Sequence, residues 1–200
     1  MFSFRDITHD TQTTYRLATD EQVVFFLHNR GDDISFELIG PRAEAHIFAL
    51  FELTEDTLVD STIHQVHLAP QTVSSFTGRS ILSDQATCHW KGSLSIAKNA
   101  SQSSGHQEMR HLLLSSDVKA SSFPSLEIET DDVRCGHAAT MSAPDPEQLF
   151  FLRSRGLSEA TAIALIARGF SYDLFEKMRV LGVDFPIPET ALSKEHLQTP

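Results

Sequence analysis

The residues best suited to chemistry in this sequence are Cys135 and His137. They stand two positions apart, a spacing that puts both side chains on one face of a strand. A thiolate and an imidazole suit iron or an iron–sulfur cluster. Two ligands do not complete such a site, so the remainder would have to come from a partner chain. Cysteine is also a common small core residue, and for Cys135 that reading is preferred. His137 stays open to both.

Other candidate groups do not assemble. Cys88 and His89 are adjacent, so on a strand they face opposite ways and cannot act jointly. The remaining histidines (His9, His28, His46, His64, His67, His106, His111, His196) show no HExxH or comparable spacing. His64 and His67 read as surface or rung residues. Asp131-Asp132 cannot share a proton as a dyad, because neighbouring strand residues diverge; a corner suits them better. Serines are plentiful, yet there is no GxSxG elbow and no GxxxxGK[ST] phosphate loop. An enzyme is therefore not expected. A polysaccharide lyase would want a groove lined by acidic and basic residues, and a hexapeptide-repeat acyltransferase would want a strict repeat.

The 200 residues carry a formal net charge of −11. That balance argues against nucleic acid, whose binding rests on Lys and Arg neutralising phosphates, and against an anionic membrane surface. Two cysteines make no disulfide framework and suit a reducing compartment. The start, MFSFRDITHD, has no apolar core of a signal peptide, and no apolar run is long enough to span a membrane. A cytoplasmic protein is expected.

The elements that must position Cys135 and His137 are short strands. Val23–Leu27 is an apolar run; Ile34–Leu38, Ala45–Ala49, Ile63–Leu68, Thr87–Trp90, Ser93–Ile96, His111–Leu114 and Ser125–Ile128 carry β-branched or alternating apolar residues. Polar turns such as Arg30–Asp33 and Lys98–Gly105 separate them, without the Asn-Gly or Asp-Gly pairs of tight hairpins. On these residues alone the body is all-β, sandwich or solenoid. From Met141 the character changes. Asp145 can cap a helix, Pro146 suits its first position, and Leu149, Phe150, Phe151 and Leu152 give it an apolar side up to Gly156. Ser158 opens a second helix, with Ile163, Leu165, Ile166 and Ala167 inside and Gly169 at its end. Ser171 opens a third that closes at Gly182. Val183–Pro200 reads as a loose tail.

An ordered series of segments carries a family resemblance: Arg110–Ser115, Phe123–Ile128, Asp131–Thr140, Asp145–Leu157 and Ala162–Phe170. It resembles the core domain of the SufB/SufD family of iron–sulfur cluster assembly proteins. The stretch Asp131-Asp132-Val133-Arg134-Cys135-Gly136-His137-Ala138-Ala139-Thr140 is similar to the SufD branch. The cluster-scaffold cysteine of the SufB branch has no counterpart near Val118.

The resemblance implies a short right-handed parallel β-helix over 1–141, a helical segment of two or three helices over 142–182, a tail over 183–200, and no N-terminal helical region. It implies a non-catalytic scaffold subunit. A SufC-like ATPase would dock on the C-terminal helices through Leu149, Phe150 and Phe151. A SufB-like chain, or a second copy, would pair through strand edges between Leu112 and Thr140. It also implies that His137, with Cys135, serves a transient iron–sulfur cluster or iron in the complex only. The alternative is a metal-free β-solenoid interaction module.

Overall fold

The computed structural model describes residues 2–185. Within them, eleven strands alternate between two all-parallel sheets. Sheet A holds β1 (Ser3–Asp6), β3 (Gln22–His28), β5 (Glu44–Leu53), β7 (Val73–Leu82), β9 (Ser103–Leu113) and β11 (Val133–Ser142) in that spatial order. Sheet B holds β2 (Thr14–Leu17), β4 (Asp33–Leu38), β6 (Leu58–His67), β8 (Thr87–Ile96) and β10 (Lys119–Ile128). Each coil lays one strand on each sheet, and the next coil stacks above it: a short parallel β-helix.

The corners explain why hairpin signals are missing. Chain passing from sheet B to sheet A turns at Asp20, Arg42, Gln71 and Gln102, and chain passing from A to B turns at Asn29, Glu55 and Asp84, all at φ between 50° and 61°. These left-handed residues stack in two columns without any glycine. In the first column each amide donates to a carbonyl of the next coil: Asp20 to Pro41, Arg42 to Pro70, Gln71 to Ser101 and Gln102 to Asp132. The coil-to-coil hydrogen bonds offset the strain of a left-handed side-chain-bearing residue.

Strand alternation fills the space between the sheets. In the early coils it is apolar: Tyr15, Phe25, Phe36, Ile47 and Phe51 are all buried there, with Tyr15, Phe25 and Phe36 in mutual ring contact. In later coils it turns polar. His67 sits between Thr72 and Ser74 at 2.6 and 2.8 Å, and His111 between Ser80 and Ser122 at 2.6 and 2.7 Å. Burial pushes both imidazoles down to about 4. His67 is thus an interior residue, not the surface or rung residue its polarity suggested, because the hydroxyls of Thr72 in the following corner and Ser74 on β7 partner both ring nitrogens. Cys88 is fully buried and its thiol is pushed up to about 12 by burial, while His89 faces outward.

Two helices follow, α1 (Pro146–Ser154) and α2 (Glu159–Val180). Asp145 caps α1 by accepting from the Glu147 amide at 2.9 Å, and Gly156 follows its end at φ 92°. Ser158 caps α2 by accepting from Thr161, and Gly182 closes it at φ 82°. The expected break at Gly169 is absent: α2 runs straight through Gly169 and Ser171, whose hydroxyl donates back to the Arg168 carbonyl at 3.1 Å. Packing overrides the local signal, since α2 lies across the outer face of sheet A. Leu174, Phe175 and Met178 bury against Val24, Phe26, Phe48 and Leu50, and Ala167 against Ile81 and Leu112. Leu165, expected inside, is exposed. Of the expected loose tail, Val183 is buried in the same apolar cluster as Phe175; residues 186–200 lie outside the described residues.

Candidate functional site

The last coil is built like the others, but among the described residues no strand stacks on it. There β10 pairs only with β8 and β11 only with β9, so each presents one ten-residue edge of amides and carbonyls unpaired within the described residues. Register identifies the inward faces. Cys135 lies over Gly105, His137 over Gln107, Ala139 over Met109 and Met141 over His111. On the other sheet, Ala120 lies over Cys88, Ser122 over Trp90, Leu126 over Leu94 and Ile128 over Ile96. All the lower residues are buried. Their counterparts one strand later carry the same alternation, yet Leu126 is 37% exposed, Ile128 41% and Met141 46%. The end of the β-helix is a cross-section of its own core.

Cys135 and His137 share that inward face, as their spacing predicts. Cys135 is half-buried, and burial pushes its thiol up although the Gly105 backbone hydrogen bond opposes this. A raised thiol is a poor thiolate, which favours a packing role in the isolated chain. His137 is exposed at the open end. Below it the Gln107 amide is fully buried with neither its oxygen nor its nitrogen hydrogen-bonded. Among the described residues no three His, Cys, Asp or Glu side chains converge on a point where a metal ion could sit. The inward Leu126, Ile128 and Met141 were not picked out from sequence; the signal available was their parity with the buried residues one coil earlier.

The second exposed surface is α1, none of whose residues is buried. Phe150 is 75% exposed and Phe151 56%, while Leu149 and Leu152 are half-buried. The three named residues divide between two grooves. Leu149 and Phe150 line an open groove of about 850 Å³ with Pro146, Arg153 and Leu157. Phe151 lines one of about 430 Å³ on the other side, with Leu152, Leu165 and Ile166.

Residues 21–170, three quarters of the chain and every element from β3 through α1 together with the first half of α2, match the family described as SUF system FeS cluster assembly, SufBD core domain. The chain belongs to that family. A SufBD family protein of Mycobacterium leprae is 34% identical over 149 residues, covering 70% of this chain and 38% of the relative. A SufBD family protein of Mycobacterium bovis is 32% identical over 133 residues, covering 66% of this chain and 16% of the relative. The iron–sulfur cluster assembly protein SufD of Escherichia coli is 34% identical over 105 residues, covering 52% of this chain and 25% of its own length. The chain thus spans well under half of the curated relatives it matches. The β10–β11 coil, with Cys135 and His137, and helix α1 fall inside the SufBD core match, as does α2 up to Phe170. No helix among the described residues is long and apolar enough to cross a membrane.

Proposed function

We propose that the chain is a SufD-like, non-catalytic scaffold subunit of the SUF iron–sulfur cluster assembly machinery. Its open β-helix end pairs with a SufB-like chain or with a second copy, and α1 docks a SufC-like ATPase. One observation carries this reading. The last coil presents unpaired parallel edges beside an exposed slice of core, and both are surfaces a second chain completes. Leu149, Phe150 and Phe151 give the ATPase an apolar face that α1 does not bury itself. In the complex the partner supplies thiolates, and His137 adds a neutral imidazole to a transient cluster or iron carried as cargo.

The test is co-expression with the SufB-like and SufC-like proteins of the same genome. Copurification of all three is expected. His137→Ala should lower the iron content of the reconstituted complex without loosening its assembly, and Cys135→Ala should lower it less. Assembly with unchanged iron in both variants would favour the second reading, a metal-free interaction module. That reading draws on the lack of a converging ligand set among the described residues.

A further inference from the structure

Four side chains on the outer face of sheet A form a hydrogen-bonded chain that ends at a serine. Gln22 of β3 donates from Nε2 to Glu44 Oε2 at 2.8 Å, Glu44 Oε1 lies 2.8 Å from His46 Nε2, and His46 Nδ1 lies 2.6 Å from Ser75 Oγ. Glu44 and His46 stand two apart on β5, and Ser75 is the register partner of His46 on β7. Coil stacking brings them together, so no local motif announces them. The direction of the chain follows from chemistry. An ionised carboxylate only accepts, so Nε2 carries the ring proton, Nδ1 presents a lone pair, and the Ser75 hydroxyl donates to it.

Nucleophile, base and orienting carboxylate are linked here in the way that activates a serine. Among the described residues no other histidine has both partners. His28 and His64 each lie beside a carboxylate but bond no serine. His67 and His111 bond only hydroxyls, inside the β-helix. His89 lies 2.6 Å from Ser121 on the outer face of sheet B, with no carboxylate on its other nitrogen. Ser75 and Ser121 are both half-buried. The Glu44 and His46 side chains are 23% and 14% exposed, and Phe2 stands edge-on to the imidazole at 5.1 Å. Such shelter from water strengthens the link between them. The amides of β5 and β7 around the site are engaged in the ladder, so no pair of free N–H groups forms an oxyanion hole. The site therefore suits an ester with a good leaving group rather than an amide.

We propose that Ser75 is a nucleophilic acylation site that takes an acyl group from activated esters, with His46 as its general base and Glu44 as the residue that positions the imidazole. Ser75 Oγ attacks the ester carbonyl carbon while its proton passes to His46 Nδ1. The bond from Oγ to that carbon forms, the bond to the leaving oxygen breaks, and the leaving oxygen takes the proton from Nδ1. The products are acyl-Ser75 and a free alcohol. This is one covalent event per chain rather than turnover. It sits away from the open coil and α1, and it goes beyond the SUF reading without drawing on it.

Treatment of the full chain with p-nitrophenyl acetate, followed by peptide mass mapping, tests it. Nitrophenolate release should accompany acetylation of Ser75. Ser121 is the internal reference, since it has the same serine–imidazole contact without the carboxylate, and Ser75 should be labelled well ahead of it. His46→Gln should slow labelling of Ser75 by about a hundredfold or more, the size of a general-base contribution. Glu44→Gln should slow it as well while leaving labelling of Ser121 unchanged. Labelling of Ser75 no faster than of Ser121, or at the wild-type rate in His46→Gln, would overturn the proposal. The comparison of the two serines is made within the unaltered chain, so a variant that fails to fold does not shield the proposal.

Discussion

The two ends of the β-helix are made from the same kind of coil and finished in opposite ways. At the N-terminal end, β1 and β2 are only four residues each, and Arg30 closes the coil from within. Its side chain, 4% exposed, donates to the carbonyls of Ile7 and Gln12 at 2.7 Å each, to Asp32 at 2.7 Å and to the Tyr15 hydroxyl at 3.3 Å. At the C-terminal end, β10 and β11 run ten residues each, and Leu126, Ile128 and Met141 stand uncovered. Short strands and an internal tie blunt an edge; long unpaired strands beside apolar residues invite a partner. An open end is thus not a necessity of the coil but a property of these residues.

Removing the tie should have the largest effect. Arg30→Met would remove four hydrogen bonds of a buried guanidinium, to the Ile7 and Gln12 carbonyls, Asp32 and the Tyr15 hydroxyl, and should destabilise the chain by about 3 kcal/mol or more. The urea midpoint, read from the fluorescence of buried Trp90, checks this. A loss under about 0.5 kcal/mol, the size of an ordinary surface change, would mean that the N-terminal coil is not closed by Arg30.

Next is acid. His67 and His111 lie in the later coils and are held neutral, each pushed from 6.5 to about 4 by burial. A depressed histidine contributes stability that is full above pH 6.5 and lost as pH falls toward 4. The loss should approach roughly 3 kcal/mol per histidine across that window. Glu108 and Asp173, which burial alone would raise but which Arg79 holds low, add their share only lower, in the carboxylate range. His67→Gln and His111→Gln should each flatten the slope between pH 6.5 and 4. The early coils, with their apolar interior, should keep exchange protection at pH 4.5 that the later coils lose. Uniform loss along the chain would erase the difference between the two halves.

How much of this was legible in the residues? The body strands were readable where β-branched and aromatic residues alternate, as in Ile34–Leu38. β7 was missed because Val73-Ser-Ser-Phe-Thr-Gly-Arg-Ser carries hydroxyls on its inward face, where only neighbouring strands reveal that Ser74 and Ser80 are satisfied. The corners were illegible because Asp, Arg, Gln, Glu and Asn take the left-handed conformation where glycine is the usual signal. The helix caps at Asp145, Gly156, Ser158 and Gly182 were legible because each depends on local chemistry alone. The joint placement of Cys135 and His137 followed from strand parity. That they sit on an uncovered coil did not, since it depends on which strand comes last in the stack.

Smaller effects sharpen the comparison. Leu126→Lys should change the stability of the isolated chain by less than about 0.5 kcal/mol, because the side chain is already partly in water, yet it should weaken assembly measured by sedimentation. Gln71→Gly, at φ 60° in the corner column, should stabilise by about 0.5 kcal/mol through removal of left-handed strain. The loss of its side-chain bond to Gln102, at 3.0 Å and exposed, should subtract little.

Hydrogen exchange of the chain in complex with its SufB-like and SufC-like partners, compared with the chain alone, tests the central claim most directly. New protection should appear on β10, β11 and α1, and none on β1 or β2. Protection gained at the N-terminal strands, or none at β10 and β11 in a complex that demonstrably contains the chain, would contradict it.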